Sequence, residues 1–392
     1  MAGSVERKPM QDPQHAGAVD AVIDRALERQ KIVGAVVLAM RGGDIVYRRA
    51  AGHADREAAV PMRKDALFLF ASMTKPLVAV TALRLMEQGF LQLHDTVAQW
   101  LPHFRPALPD GSVPDITVHQ LLTHTAGLSY AFIEAEDGPY RRAGVSSGLD
   151  QPGLSLEENL ARIAGVPLAY APGSAWRYSV AMDVLGAVLE AAAGKALPAL
   201  VEQYVAAPLG MRDTGFHVAD ESRLVVHYLN DKPAPRPMDL DAATRSGVGI
   251  ARFAPRRIFD AASYPSGGAG MAGSAPDFMR LLLSLRGENR DLLEIARVDR
   301  TGTGAATQGA GWGFGYLGAV LGDPAPTHTP QRPGTVQWGG AYGHHWFFDA
   351  DTDLALVSLT NTTFEGMSGA FPRDVRNALY REFGRQRGAW EA

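Results

Sequence analysis

Ser72 and Lys75 place a hydroxyl nucleophile and an amine three residues apart, in Ser72-Met-Thr-Lys75. At this spacing the two side chains share one face of the first turn of a helix. The N-terminus of the helix predicted over 76–89 adds backbone N–H groups and a partial positive charge, which favour an oxyanion. The pattern therefore predicts acyl transfer through Ser72, with the desolvated amine of Lys75 as base. The alternative is a helix cap by Ser72 and a solvated Lys75.

Two further segments supply the groups that such a pair needs. Tyr178 follows a turn at Pro172-Gly173 and precedes a helix predicted over 180–193, and its phenol can relay a proton. The alternative is a packing tyrosine. Gly339 and Gly340 interrupt a strand pattern, and glycine permits the backbone to approach a ligand closely. The alternative there is a β-bulge or the end of a strand.

A competing nucleophile motif is Gly144-Val-Ser-Ser-Gly148, which fits Gly-x-Ser-x-Gly. That motif requires a hydrophobic strand before the serine and a helix directly after it. The flanking sequence has neither, so Ser146 is predicted to be a loop serine. The histidine pairs 119/124 and 344/345 lack the companions of a metal site, and no phosphate-binding glycine loop follows a strand. We therefore expect no metal, no nucleotide and no other cofactor.

The hydrophobic pattern predicts the elements that position these residues. A helix is predicted over 19–27, and a hairpin of strands 34–40 and 45–47 turns at Gly42-Gly43. The helix over 76–89 is apolar on nearly every face and should be buried. Strands are predicted over 335–338, 344–348 and 354–360, with a final helix over 372–383. Strands at both ends and helices between them predict an α/β (α+β) domain, 1–90 with 216–392, and a mainly helical insertion, 91–215.

Composition limits the possible partners. The chain has 392 residues with 38 basic and 42 acidic side chains, a formal net charge of −4, which favours neither nucleic acid nor an anionic membrane. It has no cysteine, which excludes disulfides and thiolate chemistry. Met1–Met10 shows no apolar run after its charges, so we expect no signal peptide. No stretch reaches the ~18 apolar residues of a membrane span. We expect a soluble cytoplasmic protein.

The ordered set of motifs resembles the serine β-lactamase and penicillin-binding-protein superfamily, and within it the family VIII carboxylesterases. The resemblance spans roughly residues 20 to 385. It rests on the following segments, in chain order: Ser72-Met-Thr-Lys75, Leu121-Leu-Thr-His-Thr-Ala-Gly-Leu128, Pro172-Gly-Ser-Ala-Trp-Arg-Tyr178, Pro208-Leu-Gly-Met-Arg-Asp-Thr-Gly-Phe216, Gly267-Gly-Ala-Gly-Met-Ala-Gly-Ser274 and Trp338-Gly-Gly340. It implies a β-lactamase-like fold with an antiparallel central sheet.

The resemblance also implies roles. Ser72 would be the acylated nucleophile, Lys75 its base and Tyr178 the proton relay. The third motif of the family would fall on Trp338, Gly339 and Gly340. The backbone N–H groups of Ser72 and Ala341 would bind the oxyanion, and Tyr130 would line the pocket.

Two departures favour an esterase over a lactamase. Val180 stands where class C β-lactamases have the asparagine of Tyr-x-Asn, and Trp338 replaces the lysine that receives a carboxylate. An indole offers an apolar wall instead. The implied substrate is a small uncharged, short-chain acyl ester. The alternatives are a β-lactamase or DD-peptidase and a non-catalytic binding relative. The oligomeric state does not follow from the sequence.

Overall fold

The computed structural model describes residues 17–384, so Met1–Met10, on which the expectation of no signal peptide rests, lies outside the described residues. The helices are α1 (Gly17–Glu28), α2 (Thr74–Glu87), α3 (Val97–Trp100), α4 (Val118–Leu122), α5 (Pro139–Arg142), α6 (Leu156–Ala164), α7 (Ala181–Ala193), α8 (Leu197–Val201), α9 (Ala207–Leu209), α10 (Ala275–Arg286), α11 (Arg290–Ala296), α12 (Glu365–Ser368) and α13 (Ala370–Phe383).

The strands are β1 (Gly34–Arg41), β2 (Asp44–Asp55), β3 (Val60–Pro61), β4 (Leu67–Leu69), β5 (Tyr228–Leu229), β6 (Arg236–Pro237), β7 (Ala242–Ser246), β8 (Gly249–Phe253), β9 (Ala272–Ser274), β10 (Trp312–Phe314), β11 (Ala319–Leu321), β12 (Val336–Gly340), β13 (His344–Asp349) and β14 (Leu354–Thr360).

An eight-stranded sheet in the order β10-β11-β12-β13-β14-β1-β2-β3 forms the frame of the molecule. Its ladders are antiparallel, and the centre is the pairing of β1 with β14, which sets Ala35 opposite Thr360 and Arg41 opposite Leu354. The two ends of the chain therefore complete one sheet, as predicted. The β1–β2 hairpin turns at Gly42 and Gly43, whose φ angles are +62° and +89°, a conformation that favours glycine.

Alternate residues of β1 face opposite layers, since side chains alternate along a strand. Ala35 and Val37 pack in a cluster with residues of α1 and α13. Val36 and Leu38 belong to a second, larger cluster that includes residues of α2 and α10. The sheet is thus covered on both faces by helices, and α2 lies buried in the larger core.

Residues 91–215 hold the helices α3 to α9 together with turns. One hydrophobic cluster runs through this region and the sheet layer, so the division into two domains at 90 and 215 stays a prediction. Among residues 17–384, no single helix is long and apolar enough to cross a membrane. Only the bent pair Ala181–Ala193 and Leu197–Leu209 reaches that length and composition.

The predicted helices and strands agree with the structure to within a few residues, apart from β2 and the two glycines of β12. β2 extends to Asp55, eight residues beyond the predicted end at 47, because it pairs with β1 as far as Gly52 and then with β3. β12 continues through Gly339 and Gly340 and pairs them with His345 and His344. The two glycines are the last two residues of the strand instead of an interruption of it. A Cβ at Gly339 would lie 2.6 Å from the carbonyl oxygen of His344, and one at Gly340 would lie 2.3 Å from that of Phe70, so neither position has room for a side chain.

Candidate active site

Ser72 lies in a short 3₁₀ turn, Ala71–Met73, directly before α2. The sequence predicts that Ser72 opens the α-helix itself, but the α-helical bonding begins at Thr74. The turn starts in an unusual conformation, with φ of +47° at Ala71. Non-glycine residues adopt this region rarely, and such strain concentrates at functional sites. The turn leaves the hydroxyl of Ser72 half-buried at the entrance to the core.

Lys75 extends its amine into the core beside Ser72, and the residue is 5% exposed. Its Nζ donates to Ser72 Oγ at 3.2 Å and to the carbonyl of Gly268 at 2.7 Å. The amine also lies 4.7 Å from the ring centroid of Tyr178 and 5.4 Å from that of Tyr130. The burial of Lys75 and these contacts of its amine exclude the alternative of a solvated lysine.

Tyr178 approaches Ser72 from the other side, and its hydroxyl donates to Ser72 Oγ at 2.6 Å. The segment that carries it runs alongside the segment after α4. The N–H of Arg177 donates to the carbonyl of His124 at 3.0 Å, and the N–H of Val180 donates to that of Ser129 at 3.2 Å. The Leu121–Leu128 motif therefore contributes to the site by holding the chain that presents Tyr178.

Asp183, in the first turn of α7, lies behind Lys75 and is 1% exposed. Its Oδ1 accepts from Ser266 Oγ at 2.5 Å and from the N–H of Gly268 at 3.3 Å. Gly268 is the residue whose carbonyl accepts from Lys75. A side chain at Gly268 would come within 2.9 Å of Tyr130 Oη, so glycine is required for this close packing.

Burial shifts the pKa of three groups around Lys75 in the direction that favours their uncharged forms. Burial, reinforced by the charge of Lys75, lowers the pKa of His124 well below its ordinary value. Burial raises the pKa of Tyr130 well above its ordinary value, with Tyr178 and Asp183 adding to the shift. Burial also raises the pKa of Asp183, although Ser266 and Lys75 oppose the shift. Lys75 and Tyr178 are the titratable groups that the described structure places in hydrogen-bond contact with Ser72 Oγ.

Gly340 brings β12 against the turn that carries Ser72. A Cβ at this position would lie 2.3 Å from the carbonyl oxygen of Phe70, which is closer than any real contact. The next residue, Ala341, lines the same pocket as Ser72. Its backbone N–H as the second oxyanion donor stays a prediction that this proximity supports.

Trp338 is 8% exposed and lies next to Tyr178. Its indole Nε1–H points toward Tyr178 Oη at 3.4 Å, and the two ring centroids are 5.2 Å apart. Phe314 packs edge-on against the indole at 5.2 Å. Position 338 therefore offers an apolar wall with one N–H donor, and no cation, beside the phenol.

The pocket at Ser72 has mainly apolar walls. Tyr130, predicted to line it, does so and stacks on Phe132 with centroids 4.5 Å apart. Its further walls are Phe132, Ser147, Leu149, Ala251, Ala269, Ala341 and Phe364. Such a surface suits an uncharged group and disfavours a buried charge.

The other candidates from the sequence lie elsewhere or act structurally. Ser146 is in a loop between α5 and α6, as predicted, and its Oγ donates to Asp150 Oδ1 at 2.7 Å. His119 Nδ1 contacts Tyr316 Oη at 2.9 Å, and His124 Nδ1 contacts Ser179 Oγ at 3.2 Å. His344 Nε2 bonds the carbonyl of Leu69 at 2.9 Å.

Asp183, His124 and Gly268 were missed when residues were assigned to the site from the sequence. His124 and Gly268 lie inside motifs that carried the family resemblance, which is the signal that could have found them. No motif singles out Asp183, because one aspartate in an apolar helix does not indicate which distant backbone group its side chain will contact.

The chain is similar to known proteins over most of its length. Residues 19–380 match the family model described as Beta-lactamase. Esterase EstB of Burkholderia gladioli is 51% identical over 372 residues, 93% of this chain and 95% of the relative. The solved structure of EstCE1, described as a hydrolase with promiscuous acyltransferase activity, has a TM-score of 0.90 and 44% identity, covering 93% of this chain and 98% of that one.

A solved structure of lower sequence identity is similar to this chain in fold alone. Unliganded simvastatin synthase from Aspergillus terreus, as its selenomethionyl derivative, gives a TM-score of 0.74 at 21% identity, over 94% of this chain and 98% of the other. The match covers sheet and helical region together, so the arrangement of the two is common to both proteins.

Proposed function

The chain belongs to the β-lactamase family, and we propose that it is a serine carboxylesterase that hydrolyses small, uncharged, short-chain acyl esters. The observation that carries the proposal is the convergence of two proton-transfer groups on one hydroxyl. Lys75 Nζ lies 3.2 Å and Tyr178 Oη 2.6 Å from Ser72 Oγ. The identity of 51% to a curated esterase supports the same reaction class.

In the proposed reaction Ser72 Oγ attacks the ester carbonyl while Lys75, with Tyr178, takes the hydroxyl proton. The carbonyl oxygen becomes an oxyanion bound by the N–H groups of Ser72 and Ala341, and such donors are each worth ~3–4 kcal/mol. The bond to the alkoxy group then breaks, and the alcohol leaves with a proton from Tyr178. Water attacks the acyl-enzyme by the reverse proton path, which releases the acid and restores Ser72.

The pocket favours an ester over a β-lactam substrate. Trp338 lies beside Tyr178, where the family's lactamases place a lysine for the substrate carboxylate. Val180 stands where they have an amide. A substrate carboxylate placed against Trp338 would lose its water without gaining a cation as partner, which is unfavourable.

Covalent labelling tests the nucleophile. Treatment with a fluorophosphonate and peptide mapping should place the label on Ser72, and Ser72→Ala should abolish both label and turnover of p-nitrophenyl butyrate. Ser146→Ala is the matched control and should keep the label. Label on Ser146 would refute the proposal, and a chain that takes no label would point to the non-catalytic relative.

Substrate preference distinguishes the esterase from the runner-up, a β-lactamase or DD-peptidase. We expect kcat/KM for p-nitrophenyl butyrate to exceed that for a chromogenic cephalosporin. The reverse order would favour the runner-up.

A second candidate function is acyl transfer to an alcohol, favoured by the 44% identity to EstCE1 and its described acyltransferase activity. The acyl group on Ser72 would pass to the alcohol oxygen, and the proton of the alcohol would return to Ser72 Oγ. Apolar walls would let an alcohol compete with water. The test is to supply benzyl alcohol with vinyl butyrate and measure benzyl butyrate, with Ser72→Ala as control.

A small-molecule ester as the partner and a cytoplasmic location complete the proposal. Fractionation of the source cells followed by immunodetection tests the location. Recovery of the protein outside the cytoplasm would overturn that part alone.

A further inference from the structure

Two cavities meet at Leu149. The first is the pocket that reaches Ser72, with Tyr130 and Phe132 among its walls. The second is lined by residues that include Leu69, Ile258, Met271 and Tyr342. Leu149 and Ala269 line both cavities, and Leu149 is by far the larger of the two side chains. It forms the main partition between them.

In the proposed reaction the acyl part of the ester would enter the first cavity, for the following reason. The departing alcohol must lie next to the phenol that protonates it, which is Tyr178 in the proposed reaction. Among the described residues that line the first cavity, neither Tyr178 nor Trp338 is present. The alkoxy side therefore lies toward those two rings, and the acyl chain extends from Ser72 toward Leu149.

The backbone around Leu149 is held firmly. Its carbonyl accepts from the N–H of Ala254 at 2.7 Å, and the N–H of Ser147 donates to Asp150 Oδ1 at 3.0 Å. A Cβ at Gly148 would lie 2.0 Å from Ser266 Oγ, so the chain is pressed against its neighbour just before Leu149. Leu149 itself is 6% exposed. Since its main chain is anchored on both sides, the partition cannot shift without breaking these contacts.

We propose that Leu149 sets the upper limit on acyl length by closing the acyl cavity, and that the space behind it would accept a longer chain once the side chain is shortened. This rests on the proposed esterase function and specifies its substrate class. The second cavity suits methylene groups, because Leu69, Ile258 and Met271 contribute apolar walls to it. Arg257 also lines it, with its guanidinium over the Tyr264 ring at 4.5 Å.

The experiment compares Leu149→Ala and Leu149→Phe with the unaltered chain on p-nitrophenyl acetate, butyrate, hexanoate and octanoate. In Leu149→Ala the ratio of kcat/KM for hexanoate to that for acetate should rise about tenfold or more, since one methylene in an apolar pocket changes discrimination by roughly 10–200-fold. In Leu149→Phe the same ratio should fall. A loss of stability alone would not move this ratio in opposite directions in the two variants.

Leu154→Ala is the matched control, because Leu154 is similarly buried at 7% exposure and lines neither cavity. It should leave the ratio unchanged. Unchanged ratios in both Leu149 variants, with acetate still hydrolysed, would overturn the inference and leave the esterase proposal intact. If Leu149→Ala fails to fold, the ratio of kcat/KM for hexanoate to that for acetate is measured in Leu149→Phe and Leu149→Val instead, and it tests the inference in the same way. Failure of the unaltered chain to hydrolyse any of the four esters would instead count against the esterase proposal.

Discussion

One residue, Gly268, connects Lys75 to Asp183. The carbonyl of Gly268 accepts from Lys75 Nζ at 2.7 Å, and the N–H of the same residue donates to Asp183 Oδ1 at 3.3 Å. Asp183 also accepts from Ser266 Oγ, so the loop that holds the amine is tied to α7 at two points. Asp183 has no described hydrogen bond to Ser72 or Tyr178, and it acts on the site by positioning Gly268 and, through it, the amine of Lys75.

Asp183→Ala should lower kcat about 10²-fold and leave KM nearly unchanged, because displacement of a reacting group by about 1 Å has that effect on the rate. Asp183→Asn keeps an oxygen that can accept from Ser266 and Gly268, and it should restore most of the activity. Steady-state kinetics on p-nitrophenyl butyrate measure the effects on kcat and on KM separately. Equal losses in both variants would mean that the negative charge, and not the hydrogen bonds, is what the site requires.

Tyr178→Phe removes the hydroxyl that donates to Ser72 Oγ at 2.6 Å. We expect kcat to fall about 10²–10⁴-fold, the usual contribution of a general acid–base group, and fluorophosphonate labelling to slow as well. Tyr170→Phe is the control, since Tyr170 Oη donates to the His124 carbonyl at 3.4 Å and has no described hydrogen bond to Ser72 Oγ. Near-normal turnover in Tyr178→Phe would assign the proton transfer to Lys75 alone.

Gly340→Ala places a methyl group 2.3 Å from the carbonyl of Phe70 unless the backbone moves. Overpacking of this kind costs about 1–3 kcal/mol of unfolding free energy, and it should separate Ala341 from Ser72 and lower kcat. Urea denaturation and kinetics test both effects. Gly304→Ala is the control, because a Cβ there meets no atom within 4 Å. A Gly340→Ala protein with the activity of the unaltered chain would argue against Ala341 as an oxyanion donor.

Two buried histidines predict a loss of stability in acid. Burial lowers the pKa of His227 to about 3, with His344 adding to the shift, and burial lowers the pKa of His344 to about 4 despite its bond to Leu69. Below the unfolded value of about 6.5 the unfolded chain binds more protons than the folded one. The unfolding free energy should therefore fall as the pH drops from about 6.5 to about 3, with the contribution of His344 complete by about 4.

Urea denaturation at several pH values in that window measures this dependence. His344→Gln keeps a donor for the Leu69 carbonyl and removes one titrating group, so its stability should change less with pH. His217→Gln, at an exposed position, should follow the unaltered chain. Identical slopes for all three proteins would exclude His344 as a source of the acid sensitivity.

Much of the fold followed from local patterns in the sequence. Alternating and helical periodicities predicted the β1–β2 hairpin, α2 and the closing strands β12 to β14, because each depends on neighbours in the chain. The predicted relationship to esterases with the β-lactamase fold is confirmed by the family match and by the identity to EstB. Ser72 and Lys75 could be paired on sequence alone, since three residues of helix bring them together.

Tertiary structure decided the rest of the site. Tyr178 lies 106 positions from Ser72 in the chain, and Gly268 lies 193 from Lys75. Their meeting depends on how the helical region packs against the sheet, which no local pattern encodes. The same holds for Asp183 behind Gly268, for the two cavities divided by Leu149 and for the glycines inside β12. The sequence determined which chemistry was available, whereas the packing of distant segments decided which groups share the site, because close contact between them is a property of the folded chain as a whole.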